Sequence, residues 1–376
     1  MKKYLSNSIL VSLFSVIINA QSIEDALRYA RPDISGTPRY ISMGGAFNAL
    51  GGDFSAISVN PAAGGVFVNS EFNATLNSNN NQISSSYLEN RNSIDSENSN
   101  INQFGVVLVL RNTNDGNLYK LSFAYNYQRT HDYENKYRAT GTNDKVGLDN
   151  YFLVFANGIQ FGRIKTYENE TLSESYEYLG NNFGFPSQQA FLGYQGYVID
   201  PFDEIDFNNL YRSNSNPQKQ AVDHDFFVSN SGYNSKHSFN ISGQFKEKLY
   251  LGINLNSHYT EFKRIDRLTE FNYGSGSDFI STLFENDLNS IGSGFSFQIG
   301  AIYKLEYFRV GLSYQSPVWY SLTDELFQYL ETSKINGIDI VDPRVINIYE
   351  YNLKTPSILS VGLASVFGSK GLISLQ

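Results

Sequence analysis

The sequence predicts an all-β protein: an antiparallel transmembrane β-barrel with a packed segment ahead of its first strand. Three observations predict it. Apolar and polar residues alternate with a period of two in segment after segment. The connections between those segments alternate between very short and very long. Aromatic residues reach 15% while mean hydropathy is −0.32, which suits strands with one apolar and one wet face.

The N-terminus reads as an address. Lys2 and Lys3 precede an apolar run from Ile9 to Ile18, and Ala20 closes a small-residue cleavage site. Residues 1–20 are therefore expected to be a signal peptide, with Gln21 the mature start. The run is too short to span a bilayer as a helix, which needs about 20 residues. No later stretch is longer, so an exported chain is expected to be soluble or inserted through strands.

Residues 21–65 break the strand pattern. Between 36 and 65 the chain is rich in Gly and Ala, with apolar residues at Met43, Phe47, Leu50, Phe54, Ile57 and Val59. Small side chains let a backbone pack in a confined space. Asp53 is placed to cap a short helix over Phe54 to Val59, and Pro61 should end it. A compact non-strand segment ahead of a barrel suggests a plug, or hatch, in the lumen.

Residues 66–376 carry the barrel pattern. Leu249, Leu251, Ile253 and Leu255 alternate with Tyr250, Gly252, Asn254 and Asn256, and His258 continues the second set. Phe308, Val310 and Leu312 alternate with Arg309, Gly311 and Ser313. The same pattern runs through 121–128, 238–245, 295–304 and 359–367, and less regularly through 66–77 and 101–111. Leu249, Leu251, Ile253, Leu255, Phe308, Val310 and Leu312 should face lipid. Asn254, Asn256, His258, Arg309, Ser313 and Gln315 should face the lumen. This makes eight strands of about 10 to 14 residues and the beginning of a ninth at Leu372.

Tight turns are expected at Lys246–Lys248, Leu305–Tyr307 and Gly368–Gly371, with an Asp115-Gly116 signal near a fourth. Long extracellular loops are expected near 78–100, 130–235, 263–290 and 319–355. The 130–235 region is too long to lack structure. Local helix is expected over Leu148 to Gly158, with an inserted soluble domain as the alternative.

The run PRYISMGGAFNALGGDFSAISVNPA resembles the N-terminal hatch of the FadL/TodX family, outer-membrane transporters of long-chain fatty acids and aromatic hydrocarbons. Met43-Gly44-Gly45-Ala46 and Asn60-Pro61-Ala62 carry the likeness most strongly. Residues 293–318 and 355–368 are similar to the family's paired strands in order and spacing; 130–235 is not. The resemblance implies a monomeric 14-stranded barrel in the outer membrane of a Gram-negative bacterium, surrounded by outer-membrane lipid and inserted by the barrel-assembly machinery. It implies passive uptake of a hydrophobic small molecule, with no cofactor. With an odd strand count and Gln376 last, the reading expects a C-terminally truncated chain. Arg309 and Lys120 are the candidate contacts for an acidic headgroup. Phe47, Leu50 and Phe54 are the candidate contacts for its chain.

Other chemistry is sparse. The chain has no cysteine and a formal charge of −9, which argues against thiol chemistry and against nucleic acid. Asp223-His224-Asp225 reads as a solvated turn. Asp200, Asp203, Glu204 and Asp206 lack the glycine and spacing of a calcium loop. No nucleophile elbow or P-loop is present, so no enzyme is expected. The alternative function is a surface-binding or adhesion barrel working through 130–235.

Overall fold

A computed structural model describes residues 23–376 apart from 32, 113–115 and 369. The expected signal peptide and Asp115 lie outside the described residues.

Among the described residues, 13 strands form one antiparallel sheet. The strands are β1 (Glu71–Tyr87), β2 (Asn90–Arg111), β3 (Leu118–Asp132), β4 (Asn135–Asn143), β7 (Val222–Phe245), β8 (Leu249–Phe271), β9 (Phe279–Lys304), β10 (Arg309–Gln315), β11 (Trp319–Lys334), β12 (Gly337–Val341), β13 (Asn347–Lys354), β14 (Ile358–Val366) and β15 (Leu372–Leu375). β5 (Ile199–Pro201) and β6 (Tyr211–Ser213) pair separately. The order β1-β2-β3-β7-β8-β9-β10-β14-β15 is a meander, and no pairing among the described residues joins β1 to β15. No described helix is long and apolar enough to cross a membrane.

Several strands are two collinear pieces. β3 and β4 both pair with β7, and β10 and β11 both pair with β9. β14 and β13 pair with β10 and β11 in turn. Pro317 and Pro356 mark two of the breaks, because proline cannot donate to a ladder. Side chains bridge them: the Ser316 hydroxyl accepts from Phe297 N at 3.0 Å and the Thr355 hydroxyl from Val318 N at 2.9 Å. Counted as whole crossings, there are eight strands and β15.

The crossings are longer than the sequence pattern marks. β8 and β9 run 23 and 26 residues. Residues 78–100 are not a loop: β1 and β2 continue through them in register to a turn at Leu88-Glu89. Strand likewise fills most of 263–290, leaving a turn between Phe271 and Phe279. It fills 319–355 as β11, β12 and β13. The outer halves carry polar residues on both faces, so the alternation that reveals the lower halves is absent there.

Alternation sorts the two faces of the lower half. Ile253 and Leu255 are 54% and 53% exposed, while Asn254 and Asn256 are 0%. Leu251, Phe308, Val310 and Leu312 share the open face, and His258 and Ser313 share the buried one. The result is inverted relative to a water-soluble sheet: amides are inside and aliphatics outside. Leu249, Arg309 and Gln315 are intermediate.

The insertion between β4 and β7 is helical. Its helices are Leu148–Ala156, Phe161–Ile164, Leu172–Phe183 and Phe185–Gln195. Thr171 and Glu174 form a reciprocal capping box, and Pro186 sits in the first turn of the last helix. Phe152, Ile164, Tyr176, Leu179, Phe191 and Leu192 build a core that continues onto Phe284 of β9 and Leu330 of β11. The insertion thus packs against the far half of the sheet rather than standing apart.

Candidate functional site

The buried face of the lower sheet carries the N-terminal segment. Its elements are short: helices Ile23–Ala30, Pro38–Ser42 and Phe54–Val59, and a 3-10 turn over Pro61–Val66. Met43 ends the second helix, and Gly44 and Gly45 follow with φ of +62° and +79°. Two successive left-handed residues turn the chain sharply and favour glycine. Gly44 and Gly45 donate back to Ile41 O and Tyr40 O at 3.0 Å each.

Asp53 caps Phe54–Val59 by accepting from Ser55 N at 2.8 Å. Its carboxylate also accepts from the Thr37 hydroxyl, tying two helix starts together. Asn60 serves both ends of the junction. Its N–H closes the helix onto Ala56 O, and its Oδ1 accepts from Ala62 N at 3.0 Å, capping the 3-10 turn that Pro61 begins. Its Nδ2 donates to Asn48 O at 2.7 Å and lies 3.2 Å from Ala301 O of β9.

A short helix leaves its last carbonyls unpaired, and here the sheet supplies the donors. Asn254 Nδ2 donates to Ile57 O at 2.8 Å; Lys236 Nζ and Gln298 Nε2 both donate to Ser58 O at 3.0 Å. Asn240 Nδ2 donates to Pro61 O at 2.9 Å. Buried polar groups cost free energy unless paired, so this interface depends on the donors matching the carbonyls.

Glycines let the backbones meet. Gly252 and Gly300 are register partners across β8 and β9, as are Gly311 and Gly362 across β10 and β14. A Cβ at Gly252 would lie 2.3 Å from Pro61 O, and one at Gly311 would lie 2.2 Å from Asn48 O.

The candidate ligand residues are all engaged in this packing. Phe47, Leu50 and Phe54 lie in the segment's core with Tyr40, Ile57 and Phe67. Arg309 Nη1 donates to Leu50 O at 2.8 Å, and Lys120 Nζ donates to Phe67 O. The two basic side chains hold backbone carbonyls of the segment, and the three apolar ones have almost no free surface. The residues sequence reasoning missed are Asn48, Lys236, Asn240 and Gln298. Asn240 and Gln298 were legible as polar positions of the alternating segments 238–245 and 295–304, and Lys236 lies just outside the first of them.

Open space lies farther along the same face. One cavity of about 350 Å³ is walled by Tyr87, Tyr151, Phe226, Leu268 and Phe284, with His224 and Asp266 at its polar end. A second, of about 600 Å³, is more polar and includes Arg28, Tyr133, Phe262 and Arg264. The first helix occupies its edge, with the Arg28 guanidinium 3.6 Å above the Phe262 ring and Tyr29 packed 6.0 Å from Tyr320.

His224 corrects the solvated-turn reading of Asp223-His224-Asp225. β7 extends to Val222, so alternation turns His224 inward and both aspartates outward. His224 Nε2 sits 2.9 Å from the Glu270 carboxylate, and Nδ1 sits 3.1 Å from Tyr87 OH. Glu270 also accepts from Leu148 N at 2.6 Å, so it fastens the insertion's first helix to β8. Asp149 lies beside it, and burial holds its carboxyl above the usual range. Asp206 pairs with Lys165, and no group of three or more acidic or histidine side chains among the described residues forms a metal site.

No protein-family model, curated protein or solved structure matches the chain.

Proposed function

We propose that this chain is a plugged outer-membrane β-barrel for passive uptake of hydrophobic small molecules such as long-chain fatty acids. The observation that carries the reading is the inversion of the lower sheet. Asn254, Asn256 and Ser313 are buried, while Ile253, Leu255 and Leu312 are exposed. A face of that kind, continued across neighbouring strands, is costly in water and favourable in hydrocarbon. On this reading the N-terminal segment is the lumen hatch, the sheet closes as a 14-stranded monomeric barrel, and the tight turns face the periplasm.

The aromatic-walled cavity beside the start of the helical insertion supports the substrate class. Its size lies within the range of small-molecule sites, with apolar walls and few polar groups. The test is uptake of labelled oleate into cells with and without the gene. Loss of uptake on deletion and its return on complementation are expected; unchanged uptake sinks the reading.

A second reading, surface binding through the helical insertion, has its own observation. Tyr167, Tyr178, Phe183 and Phe207 are exposed around a cleft of about 800 Å³. Replacing Tyr178 and Phe207 with Ser should leave oleate uptake intact if transport is the function, and should abolish cell-surface binding if adhesion is.

A further inference from the structure

The open face has a groove at its turn end that the transport reading does not use. It has a volume of about 740 Å³ and crosses four neighbouring strands. Its walls are Tyr119 of β3, Phe245 of β7, Leu249 of β8 and Tyr303 of β9; Lys246 and Lys248 stand at its mouth. Phe245 pairs with Leu249 and Leu249 with Tyr303, so these three walls form one row, with Tyr119 beside it at a register shift of β3. Lys304 N donates to Lys248 O at 2.7 Å, which fixes the backbone of the turn that carries the two lysines.

Charge is distributed unevenly along the strands. At the far end of β8 the cations are paired: Lys263 with Glu261, Arg264 with Asp266, and Arg267 with Glu285. At the turn end, no ion pair among the described residues involves Lys246, Lys248 or Lys304. One acid, Glu247, lines the groove with Lys246 and Lys248, and a second, Glu306, lies in the neighbouring turn. A chain of net charge −9 therefore presents unpaired cations at the edge of its apolar face.

We infer that this groove is a binding site for the headgroup of an anionic phospholipid in the turn-side leaflet. The inference rests on the proposal that the apolar face meets lipid. The lysine ammoniums donate to phosphate oxygens, the tyrosines take the interfacial level, and the acyl chains run down the stripe of Leu249, Leu251 and Ile253. A zwitterionic headgroup carries its own ammonium, which the lysine rim repels. A headgroup with net negative charge suits the rim better.

The test uses the full chain in phosphatidylcholine bilayers, with brominated lipids as quenchers. Trp319 is the only tryptophan and lies exposed on the open face, so its quenching by brominated phosphatidylcholine reports contact with the bilayer. A Tyr303→Trp, Trp319→Phe variant then reports the groove. Brominated phosphatidylglycerol should associate there about fivefold or more over phosphatidylcholine. Adding Lys246→Gln and Lys248→Gln should remove the preference, and Lys→Arg at the same positions should keep it. The control pair Lys263→Gln and Arg267→Gln should leave it unchanged. Equal association of the two lipids, or a preference that survives the double lysine variant, overturns the inference while leaving the membrane reading standing. Absence of Trp319 quenching overturns both.

Discussion

The amide of Asn60 rests directly on Gly300: a Cβ built at that glycine would lie 2.0 Å from Asn60 Oδ1 and 2.8 Å from Pro61 Cδ. Gly300→Ala must therefore push the N-terminal segment away from β9. The expected cost is about 1–3 kcal/mol, the usual range for overpacking. Hydrogen exchange across residues 53–66 should rise in step. Gly371→Ala, with nothing within 4 Å of its Cβ, should leave it unchanged.

Asn60→Ala removes both a cap and a bridge to Asn48 O. A loss of about 1–3 kcal/mol is expected, because the partners stay buried and unsatisfied. Deleting residues 40–62 goes further. It should open a water-filled path and raise leakage of small polar dyes from loaded vesicles. Leakage equal to the parent's would mean that the segment does not plug anything.

Arg309→Ala should weaken association of an acidic and a neutral hydrophobic ligand alike, because the guanidinium is held by Leu50 O. Selective loss of the acidic ligand alone would instead make Arg309 a headgroup contact. Parallel titrations with oleate and a long-chain alkane distinguish the two.

Ile253→Arg places a charge on the open face. In a bilayer the change should cost about 2–4 kcal/mol, measured by urea titration of the vesicle-inserted protein. A negligible cost would mean that the face meets water. Asn254→Arg is no neutral control, since Asn254 is fully buried against Ile57 O and Gln298.

Asp149 gives the helical insertion a pH dependence. Burial raises its folded pKa, so the fold favours the protonated acid. Its contribution is fully present below the unfolded pKa and is lost as pH rises through the folded one. Proteolysis within 148–195 should therefore become faster as pH rises above the ordinary aspartate value, about 4. Asp149→Asn should flatten that slope; an unchanged slope would assign it to another group.

Sequence reasoning reached the lower strands because one side chain in two had to be apolar there. Leu249 to Leu255 is the clearest run, and its faces appear in the structure as read. The outer halves were hidden for the converse reason. In β1, Asn79, Asn80 and Asn81 lie within a continuous ladder, yet nothing in Asn-rich sequence marks a strand whose two faces are both polar. The Leu88-Glu89 turn carries no Asn-Gly signal, although Leu88 has φ of +51°. The N-terminal segment's caps at Asp53 and Asn60 were legible as local chemistry. Their partners on β7, β8 and β9 were not, because pairing Asn254 with Ile57 requires knowing where distant strands come to rest.

That distance orders events in time. Asn60 waits for Ala301, 241 residues downstream, and Leu50 waits for Arg309, 259 residues downstream. At about 5–20 residues per second, the N-terminal segment is made about ten seconds to about a minute before these partners exist. Through that interval its Gly-rich chain has nothing to fold against. The first part synthesised is therefore among the last to settle, and an escort that keeps it from aggregating would act on residues 37–67 before any strand has paired.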